Sequence, residues 1–365
     1  MVKQKYYSLD KILTHNALYN VIIGERSNGK TFACLLYGLK NYVKTGKQMA
    51  YIRRWQDDFT GKRGATMFDA IVHAGLLERI TEGRWTNVYF WSGRWYLSCV
   101  DGDGKRVTDE TPFCYAFALT QMEHDKSTSY PNVTTVIFDE FLTRQTYLPD
   151  EFILFQNVLS TIIRGRNDVK IFMLGNTVNK WSPYFSEMGL THIKDMEIGS
   201  IDVYTYGESG LTVAVEFTGS NKQSKASDVY FAFDNPRLNM ITGTGNIWEM
   251  AIYPHCPVKY TPADVLYNYF IIWDGEVLHC EVVRTNYSFF TFIHRKTTPI
   301  QDDNKDLIYS VEYDSRPNHR RKITASADRL DRLLYSHFQT DRVYYQDNEV
   351  GEIVRNYLKW CRSQN

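Results

Sequence analysis

The chain has 365 residues, and its 42 Lys and Arg are balanced by 42 Asp and Glu, so the formal net charge is zero. This balance excludes a polybasic protein, and any nucleic-acid binding must come from local basic patches. A hydrophobic fraction of 43% and a charged fraction of 23% exclude a wholly disordered chain. The length favours two domains.

In chain order, residues 1–200 alternate between strand and helix patterns, which predicts a parallel, doubly wound α/β sheet. The predicted strands are 19–23, 48–53, 86–91, 94–100, 113–119, 133–138 and 169–174, and the predicted helices are 31–39, 67–77 and 151–163. We interpret residues 201–245, which are rich in Gly, Ser, Thr and Asn, as a linker or small lid.

Residues 246–365 predict a second, smaller α+β domain. Its predicted strands are 269–273, 277–283, 289–294 and 307–312, and its predicted helices are 325–337 and 349–361.

The six cysteines are scattered, without a CxxC pair or the His spacing of a zinc finger. This pattern favours reduced thiols in a cytosolic protein. The N-terminal residues lack an apolar segment of signal-peptide length, and no run approaches the roughly 18 apolar residues of a membrane span. We therefore expect no membrane association.

A Gly-rich segment follows the first predicted strand and fits G-x-x-x-x-G-K-[ST], the Walker A pattern. Its residues are Gly24, Glu25, Arg26, Ser27, Asn28, Gly29, Lys30 and Thr31. In this pattern the backbone N–H groups surround phosphate oxygens, and the following helix adds its positive dipole end. We expect Lys30 to reach the β- and γ-phosphates of ATP and Thr31 to ligate Mg²⁺. The alternative is a Gly-rich turn with an exposed Lys.

The apolar strand 133–138 ends in Asp139 and Glu140, a Walker B pattern. We expect this strand beside the first one, with Asp139 holding the hydration shell of Mg²⁺ and Glu140 acting as general base on the attacking water. The alternative is a solvated strand end or a helix cap.

Four further polar residues are candidates for sensing or stabilising the γ-phosphate. Asn176 or Thr177, which follow the strand 169–174, would sense the γ-phosphate. The alternative is that these residues form a simple turn. Arg164 or Arg166, at the end of the predicted helix 151–163, would act in trans as an arginine finger in a ring. The alternative is that these arginines are solvated cations at a helix C-terminus, where positive charge is favourable. The sequence does not show which of Arg164 and Arg166 would be the finger.

With these motifs in place, residues 1–200 resemble the viral DNA-packaging motor ATPases, the large-terminase-like branch of the P-loop ATPases. The resemblance rests on 24–31, 137–141, 174–177 and the Pro-Tyr-Phe segment within 179–185. Arg26 looks like the extra basic residue that many terminases carry in this loop. The short chain looks most like the encapsidation proteins of small tailed bacteriophages with protein-primed genomes.

The resemblance implies a P-loop NTPase domain of the ASCE, RecA/terminase-like type that binds ATP and Mg²⁺. It further implies a homo-oligomeric ring, usually of five subunits, that docks on the prohead portal in the host cytoplasm and drives double-stranded DNA inward. A packaging RNA is a further partner in some relatives, and the motor is expected to be absent from the mature virion. The alternatives are another P-loop translocase or helicase, or a non-catalytic adaptor that binds ATP as a structural ligand.

Large terminases carry an RNase H-like nuclease after the ATPase, and the resemblance implies a vestigial form of that fold in residues 246–365. The candidate metal-binding acids are Asp274, Glu281, Asp314, Asp347 and Glu349. Their spacing is not diagnostic, and Asp274-Gly275 reads equally as a two-residue hairpin turn. A terminase with an active nuclease is the alternative.

Two basic segments are candidate DNA-binding surfaces. One spans Lys40–Arg63 and includes Arg53-Arg54 and Lys62-Arg63, and the other is Arg320-Arg321-Lys322. Such cations would contact phosphates without reading sequence. Solvated helix faces are the alternative. Upstream of the first strand, Gln4, Tyr6 and Tyr7 either contact the adenine base or pack in the core.

Overall fold

The structure, a computed structural model, separates the chain into two compact units. It describes residues 7–25, 28–124, 128–143, 147–176, 181–208, 210–219, 252–256, 258–286, 288–324 and 328–363. The first unit holds the described residues up to 143 and from 150 to 219, and the second holds 147–149 and those from 252 onward.

The first unit contains a ten-stranded sheet with a parallel centre. Its strands are β1 (Tyr19–Gly24), β2 (Gln48–Arg53), β3 (Asn87–Trp91), β4 (Arg94–Val100), β5 (Arg106–Thr108), β6 (Cys114–Ala118), β7 (Val133–Asp139), β8 (Lys170–Asn176), β9 (Ile201–Tyr206) and β10 (Leu211–Thr218). They lie in the order β3-β4-β6-β2-β7-β8-β1-β10-β9, with β5 paired to β4. Neighbours from β6 through β10 in this order are parallel, and β3, β4, β5 and β9 join antiparallel.

Helices connect these strands and cover the sheet. They are α1 (Asp10–Leu13), α2 (Lys30–Thr45), α3 (Gly61–Ala65), α4 (Asp69–His73), α5 (Leu76–Ile80), α6 (Glu151–Ile163) and α7 (Pro183–Glu187). Helix α2 buries Cys34, Leu35 and Leu39, which recur at helical spacing on its sheet-facing side. Strand β7 is buried along nearly its whole length, as expected of a central parallel strand that is covered on both faces.

The parallel α/β sheet confirms the predicted fold class. Most predicted elements are also present, but the single predicted helix 67–77 is wrong. The structure has two short helices there, α4 and α5, because Gly75 adopts a left-handed φ of +64° between them.

Residues 201–218 form β9 and β10 of the first sheet, so the predicted linker beginning at residue 201 is wrong over this stretch. Strand β10 pairs with β1 in parallel, and β9 returns beside it antiparallel. The remainder of the predicted linker, from residue 220, lies outside the described residues.

The second unit contains a six-stranded sheet in the order β15-β14-β11-β12-β13-β16. Its elements are β11 (Val265–Trp273), β12 (Glu276–Arg284), β13 (Phe289–Arg295), β14 (Leu307–Ser310), β15 (His319–Arg320), α8 (Arg329–Gln339), β16 (Val343–Tyr345) and α9 (Asn348–Ser363). The first three strands form an antiparallel meander, and β14 and β15 continue parallel to β11. An RNase H-like fold for this unit stays a prediction from the resemblance.

Among the described residues, no helix combines the length and the apolar character that a membrane crossing requires.

Candidate nucleotide-binding site

The candidate site lies where β1, β8 and β7 end. Because these strands are parallel, their carboxyl ends share one edge of the sheet. Strand β8 lies between the other two, so the expectation that β7 lies beside β1 is wrong. In register, Asn176 on β8 is beside Gly24 on β1, and Asp139 on β7 is beside Leu174.

Lys30, the first residue of α2, is buried under the loop that precedes it. Its Nζ donates to the carbonyl oxygen of Glu25 at 2.7 Å and to that of Gly24 at 3.2 Å. It also donates to Oδ1 of Asn28 at 3.2 Å and of Asn176 at 3.4 Å. The ammonium group therefore joins the loop to the end of β8.

Burial lowers the pKa of Lys30 from its ordinary value to about 8, although the carboxylate of Asp139 acts in the opposite direction. A buried ammonium with few compensating charges is suited to receive an anion. The structure thus places a cation where the sequence predicts phosphate contact.

Thr31 and Asp139 come together across the strand edge. The Thr31 hydroxyl donates to Oδ2 of Asp139 at 3.0 Å, and the Tyr51 hydroxyl donates to the same oxygen at 2.6 Å. Oδ1 of Asp139 accepts from the backbone N–H of Glu140 at 2.9 Å. Burial, with the nearby Asp139 carboxylate, raises the pKa of Tyr51, so the phenol stays a donor. The sequence did not single out Tyr51.

Glu140 stands at the end of β7 with an unusual backbone. Its φ is +57°, in the left-handed region that non-glycine residues seldom occupy. Its carboxylate is half-exposed and forms an ion pair of 2.9 Å with Nη2 of Arg53. Arg53 also donates from Nε to Asp58 at 3.3 Å. Its Nη1 also lies 3.7 Å from Oδ2 of Asp139, so Arg53 lies among three acids and lines this site.

Arg54 forms a buried network behind Glu140. It makes a two-pronged contact with Glu151 at the start of α6, with both distances 2.8 Å. Its Nη1 and Nη2 donate to the carbonyls of Glu140 and Phe141 at 3.2 and 2.9 Å. Tyr184 on α7 donates to Glu151 at 2.8 Å.

These contacts correct the expectation that Arg53-Arg54 belongs to a DNA-binding surface. Arg54 is a buried structural cation, since its side chain is 7% exposed and that of Glu151 is fully buried. Within the same segment, Lys62 and Arg63 on α3 are exposed. They remain available for the predicted phosphate contacts.

Strand β10 supports the loop from its other side. Asn28 donates through Nδ2 to the Thr218 hydroxyl at 2.7 Å. A Cβ added to Gly24 would lie 2.0 Å from that same hydroxyl oxygen, so the position requires glycine. Tyr7 donates its backbone N–H to the Asn28 carbonyl at 3.1 Å and its hydroxyl to Glu216 at 2.6 Å.

Several predicted residues lie outside the described part of the chain. They are Gln4, Tyr6, Arg26, Ser27 and Thr177.

The two candidate arginine fingers lie at the other end of β7. Val133 begins that strand and Asp139 ends it, so about 20 Å separates the two ends at ~3.3 Å per residue. Arg164 donates to the Thr128 carbonyl at 2.9 Å. The guanidinium of Arg166 donates from all three nitrogens, to the carbonyls of Tyr130, Pro131, Val133, Ile162 and Ile163 and to the Asp168 carboxylate.

The contacts of Arg166 show a structural role, because they tie the end of α6 to the start of β7. The structure brings neither arginine to the nucleotide site of its own chain.

The candidate nuclease acids of the second unit have separate local partners. Asp274 is in the β11–β12 turn, Glu281 is on β12, Asp314 contacts Arg316, Asp347 accepts from the Val350 N–H, and Glu349 contacts Arg295. Among the described residues, no three of these acids lie within reach of one metal ion. The left-handed φ values of +51° at Asp274 and +78° at Gly275 fit the hairpin-turn alternative. A vestigial nuclease in this unit stays a prediction.

The predicted basic cluster of the second unit is also engaged internally. Arg320 forms ion pairs with Asp328 and Asp331. Arg321 donates to the Val311 carbonyl at 2.9 Å and lies 5.3 Å from the ring centre of Trp360. These two arginines therefore stabilise the fold, which weakens their interpretation as a nucleic-acid surface.

The chain matches the family model described as podovirus DNA encapsidation protein (Gp16) over residues 1–83 and 100–228. The DNA packaging proteins of Bacillus phages phi29 and PZA are each 30% identical to it over 188 residues, covering 51% of this chain and 50% of each relative. The chain thus spans about half the length of the curated relatives it matches.

Solved structures extend the likeness in fold along nearly the whole chain. The phi-28 gp11 DNA packaging motor matches with a TM-score of 0.54 and 16% identity, covering 99% of both chains. The bacteriophage phi29 genome packaging motor assembly matches with a TM-score of 0.53 and 20% identity, again over 99% of both chains.

Proposed function

The chain belongs to the podovirus DNA encapsidation protein (Gp16) family, and from this membership we propose that it is an ATP-hydrolysing motor that translocates double-stranded DNA into a viral prohead. The observation that carries the proposal is the contact between Thr31 and Asp139 at the strand edge, next to the buried Lys30. An adaptor without catalysis would not need the adjacent Glu140 as a base.

ATP binding follows from the loop and the helix that it precedes. The N–H groups of the loop and the N-terminus of α2 receive the phosphates, and Lys30 supplies the positive charge. Asn176 lies 3.4 Å from the Lys30 ammonium, and this contact supports the proposal that it senses the γ-phosphate. Phosphate contact would replace the carbonyl contacts that Lys30 makes with its own loop.

Thr31 and Asp139 fit a Mg²⁺ ion, since they offer a hydroxyl and a carboxylate oxygen 3.0 Å apart, and hard oxygen donors are what this ion prefers. When bound, the ion neutralises charge on the β- and γ-phosphates. Tyr51 fixes the orientation of the Asp139 carboxylate through its hydrogen bond to Oδ2.

Hydrolysis requires a base on the attacking water, and Glu140 is the carboxylate beside the metal-binding Asp139. In the structure the Glu140 carboxylate is engaged by Arg53 in the 2.9 Å ion pair. We therefore expect Glu140 to leave Arg53 before it accepts the proton of water.

Release of the γ-phosphate is coupled to motion through the elements that end at the site. Arg54 bonds the carbonyls that follow Asp139 and also Glu151, while Tyr184 joins the same carboxylate. A shift of the Glu140 backbone would therefore be transmitted to α6 and α7. A neighbouring subunit in a homo-oligomeric ring, of five subunits by resemblance, would contribute the trans arginine.

The portal vertex of the prohead is the expected docking partner, with a packaging RNA as a further one. Lys62 and Arg63, exposed on α3, are candidate contacts to DNA phosphates.

The decisive experiment measures the ATPase rate of the protein alone, with double-stranded DNA, and with DNA and purified proheads. A packaging motor gives its highest rate, together with DNase-protected DNA, when both are present. Maximal ATPase with DNA alone and no protected DNA would instead identify another translocase or a helicase. No hydrolysis under any condition would leave an adaptor.

A further inference from the structure

Two histidines and one carboxylate meet on one face of the second sheet. His279 on β12 is directly opposite His294 on β13, with ring centres 4.8 Å apart. Glu281 is two residues beyond His279 and therefore projects from the same face. One potential ligand atom from each of the three lies within 4.8 Å of the other two. We call these residues the His–Glu cluster.

The cluster is reachable from solvent yet held in place. The side chains of His294 and Glu281 are 29% and 20% exposed, and Nε2 of His294 lies 3.8 Å from Oε2 of Glu281. In a tetrahedral zinc site the ligand atoms are about 3.3 Å apart, given metal–ligand bonds of about 2.0–2.1 Å. Closing this pair around an ion therefore needs a movement of about 0.5 Å, and closing a pair at the 4.8 Å limit needs about 1.5 Å.

Neighbouring groups prepare both imidazoles for metal binding. Nδ1 of His294 donates to the Arg295 carbonyl at 3.0 Å, because a carbonyl can only accept, and this leaves Nε2 with a lone pair. Nε2 of His279 lies 3.0 Å from Oδ1 of Asn268 on β11. An imidazole that donates from one nitrogen presents a lone pair on the other.

The carboxylate is prepared in the same way. The hydroxyl of Tyr260 donates to Oε2 of Glu281. In protein metal sites, groups that hydrogen-bond to the ligands in this way orient the ligands toward the ion.

We propose that the His–Glu cluster binds one divalent transition-metal ion, with Zn²⁺ the favoured ion and a fourth position open to water or to an external oxygen donor. Two imidazoles and one carboxylate are a ligand set used by zinc proteins that keep such an open position. Imidazole suits Zn²⁺, whereas Mg²⁺ prefers oxygen ligands. The site is therefore chemically distinct from the Mg²⁺ site at Thr31 and Asp139.

This inference goes beyond the proposed function and does not depend on it, because every residue of the cluster lies in the second unit. Failure of the ATPase experiment would leave it standing, and its own failure would leave the motor proposal standing.

The test is calorimetric titration of the chelator-treated, full-length protein with ZnCl₂ in the presence of excess Mg²⁺. One ion is expected to bind per chain. Replacing either ligand histidine, as in His279→Ala or His294→Ala, should weaken binding by at least about 100-fold. Asn268→Ala, which removes only an outer partner, should cost about 10–100-fold. His255→Ala is the matched control, because it removes an exposed imidazole of the same unit and should leave the affinity unchanged.

Two further measurements separate ligand loss from misfolding and from binding to thiols. Glu281→Gln keeps the shape of the side chain, so it should lose affinity while its circular dichroism matches that of the wild type. Co²⁺ should give the visible bands of a four-coordinate ion without a sulfur-to-cobalt charge-transfer band. Equal zinc affinity in the wild type and both histidine variants, a thiolate spectrum, or no saturable binding would overturn the proposal.

Discussion

Glu140 combines a left-handed backbone with an ion pair to Arg53, and both features bear on its proposed role. A non-glycine residue in this conformation costs of the order of 1–3 kcal/mol and persists where the surroundings enforce it. Here Arg54 supplies part of that restraint by bonding the Glu140 carbonyl. The backbone conformation of Glu140 therefore directs its carboxylate to one side of Asp139. The ion pair with Arg53 must open before this carboxylate can accept a proton from water.

Glu140→Gln should separate ATP binding from hydrolysis. The substitution removes the base and keeps the size of the side chain, so single-turnover hydrolysis should fall about 10²–10⁴-fold. Affinity for a fluorescent ATP analogue should stay within a few-fold, since Lys30 and Thr31 are intact. Glu78→Gln, on an exposed face of α5, is the control. Hydrolysis at the wild-type rate in Glu140→Gln would remove Glu140 from the mechanism.

The lowered pKa of Lys30 predicts that ATP binding takes up protons in a defined pH window. Its pKa of about 8 in the free protein leaves it partly neutral at pH 8.5, and a bound triphosphate raises that pKa again. Binding at pH 8.5 should therefore take up a fraction of a proton, and binding at pH 6.5 almost none. Calorimetry in buffers of different ionisation enthalpy counts these protons. The same proton count at both pH values would contradict the environment assigned to Lys30.

At the scale of elements, the Arg54–Glu151–Tyr184 network joins the end of β2 to α6 and α7. Both side chains of the Arg54–Glu151 ion pair are buried, so removing one partner leaves the other as an uncompensated buried charge. This network is more than a local contact, because it fixes the backbone that carries Glu140.

Glu151→Ala should lower the free energy of unfolding by about 3–5 kcal/mol, because Arg54 would lose its buried counter-charge. Tyr184→Phe removes one hydrogen bond and should cost about 1–3 kcal/mol. Denaturant unfolding followed by tryptophan fluorescence measures both. Glu78→Ala, on the surface, should change stability by no more than about 0.5 kcal/mol. A loss for Glu151→Ala no larger than that of this control would show that the network does not stabilise the fold.

The elements that sequence patterns predict well here are those with local signals. The loop before α2 and the apolar run of β7 are both contiguous, so their residue types suffice. The predicted helix 67–77 failed at Gly75, where one left-handed residue ends α4. The stretch 211–217, Leu-Thr-Val-Ala-Val-Glu-Phe, carried a strand signal in its β-branched residues that the surrounding polar composition obscured.

The sequence could not predict the contacts that residues of the site make with residues far away in the chain. Arg54 and Glu151 are 97 positions apart, so nothing local distinguishes this buried pair from two surface charges. In the sequence, Tyr51 likewise looks like one more apolar strand residue. Only the structure shows that its hydroxyl donates to Asp139. The intervening position of β8 is a matter of strand order, which periodicity does not encode.

At the scale of the whole molecule, the proposed motor would complete its catalytic site with an arginine from a neighbouring subunit. Both Arg164 and Arg166 donate to backbone carbonyls in this chain, and both stay candidates for that trans role. Among the described residues of the second unit the candidate acids do not converge on one metal position, and a binding role for this unit stays a prediction.

Mixing variants tests the trans arginine. Arg164→Ala subunits combined with Glu140→Gln subunits should recover part of the ATPase rate, because each variant damages a different half of a composite site. Arg166→Ala should instead lower thermal stability, since it breaks the tie between α6 and β7. Absence of rescue with Arg164→Ala at every mixing ratio would exclude it as the finger.

The central claim is that ATP sits in the loop before Thr31 while Asp139 and Thr31 hold its metal ion. A crystal structure of the protein with Mg²⁺ and a non-hydrolysable ATP analogue tests it most directly. The account predicts the β- and γ-phosphates against Lys30 and the ion bonded to the Thr31 hydroxyl, within the reach of Asp139. A nucleotide bound elsewhere, or an Asp139 carboxylate turned away from the ion, would contradict it.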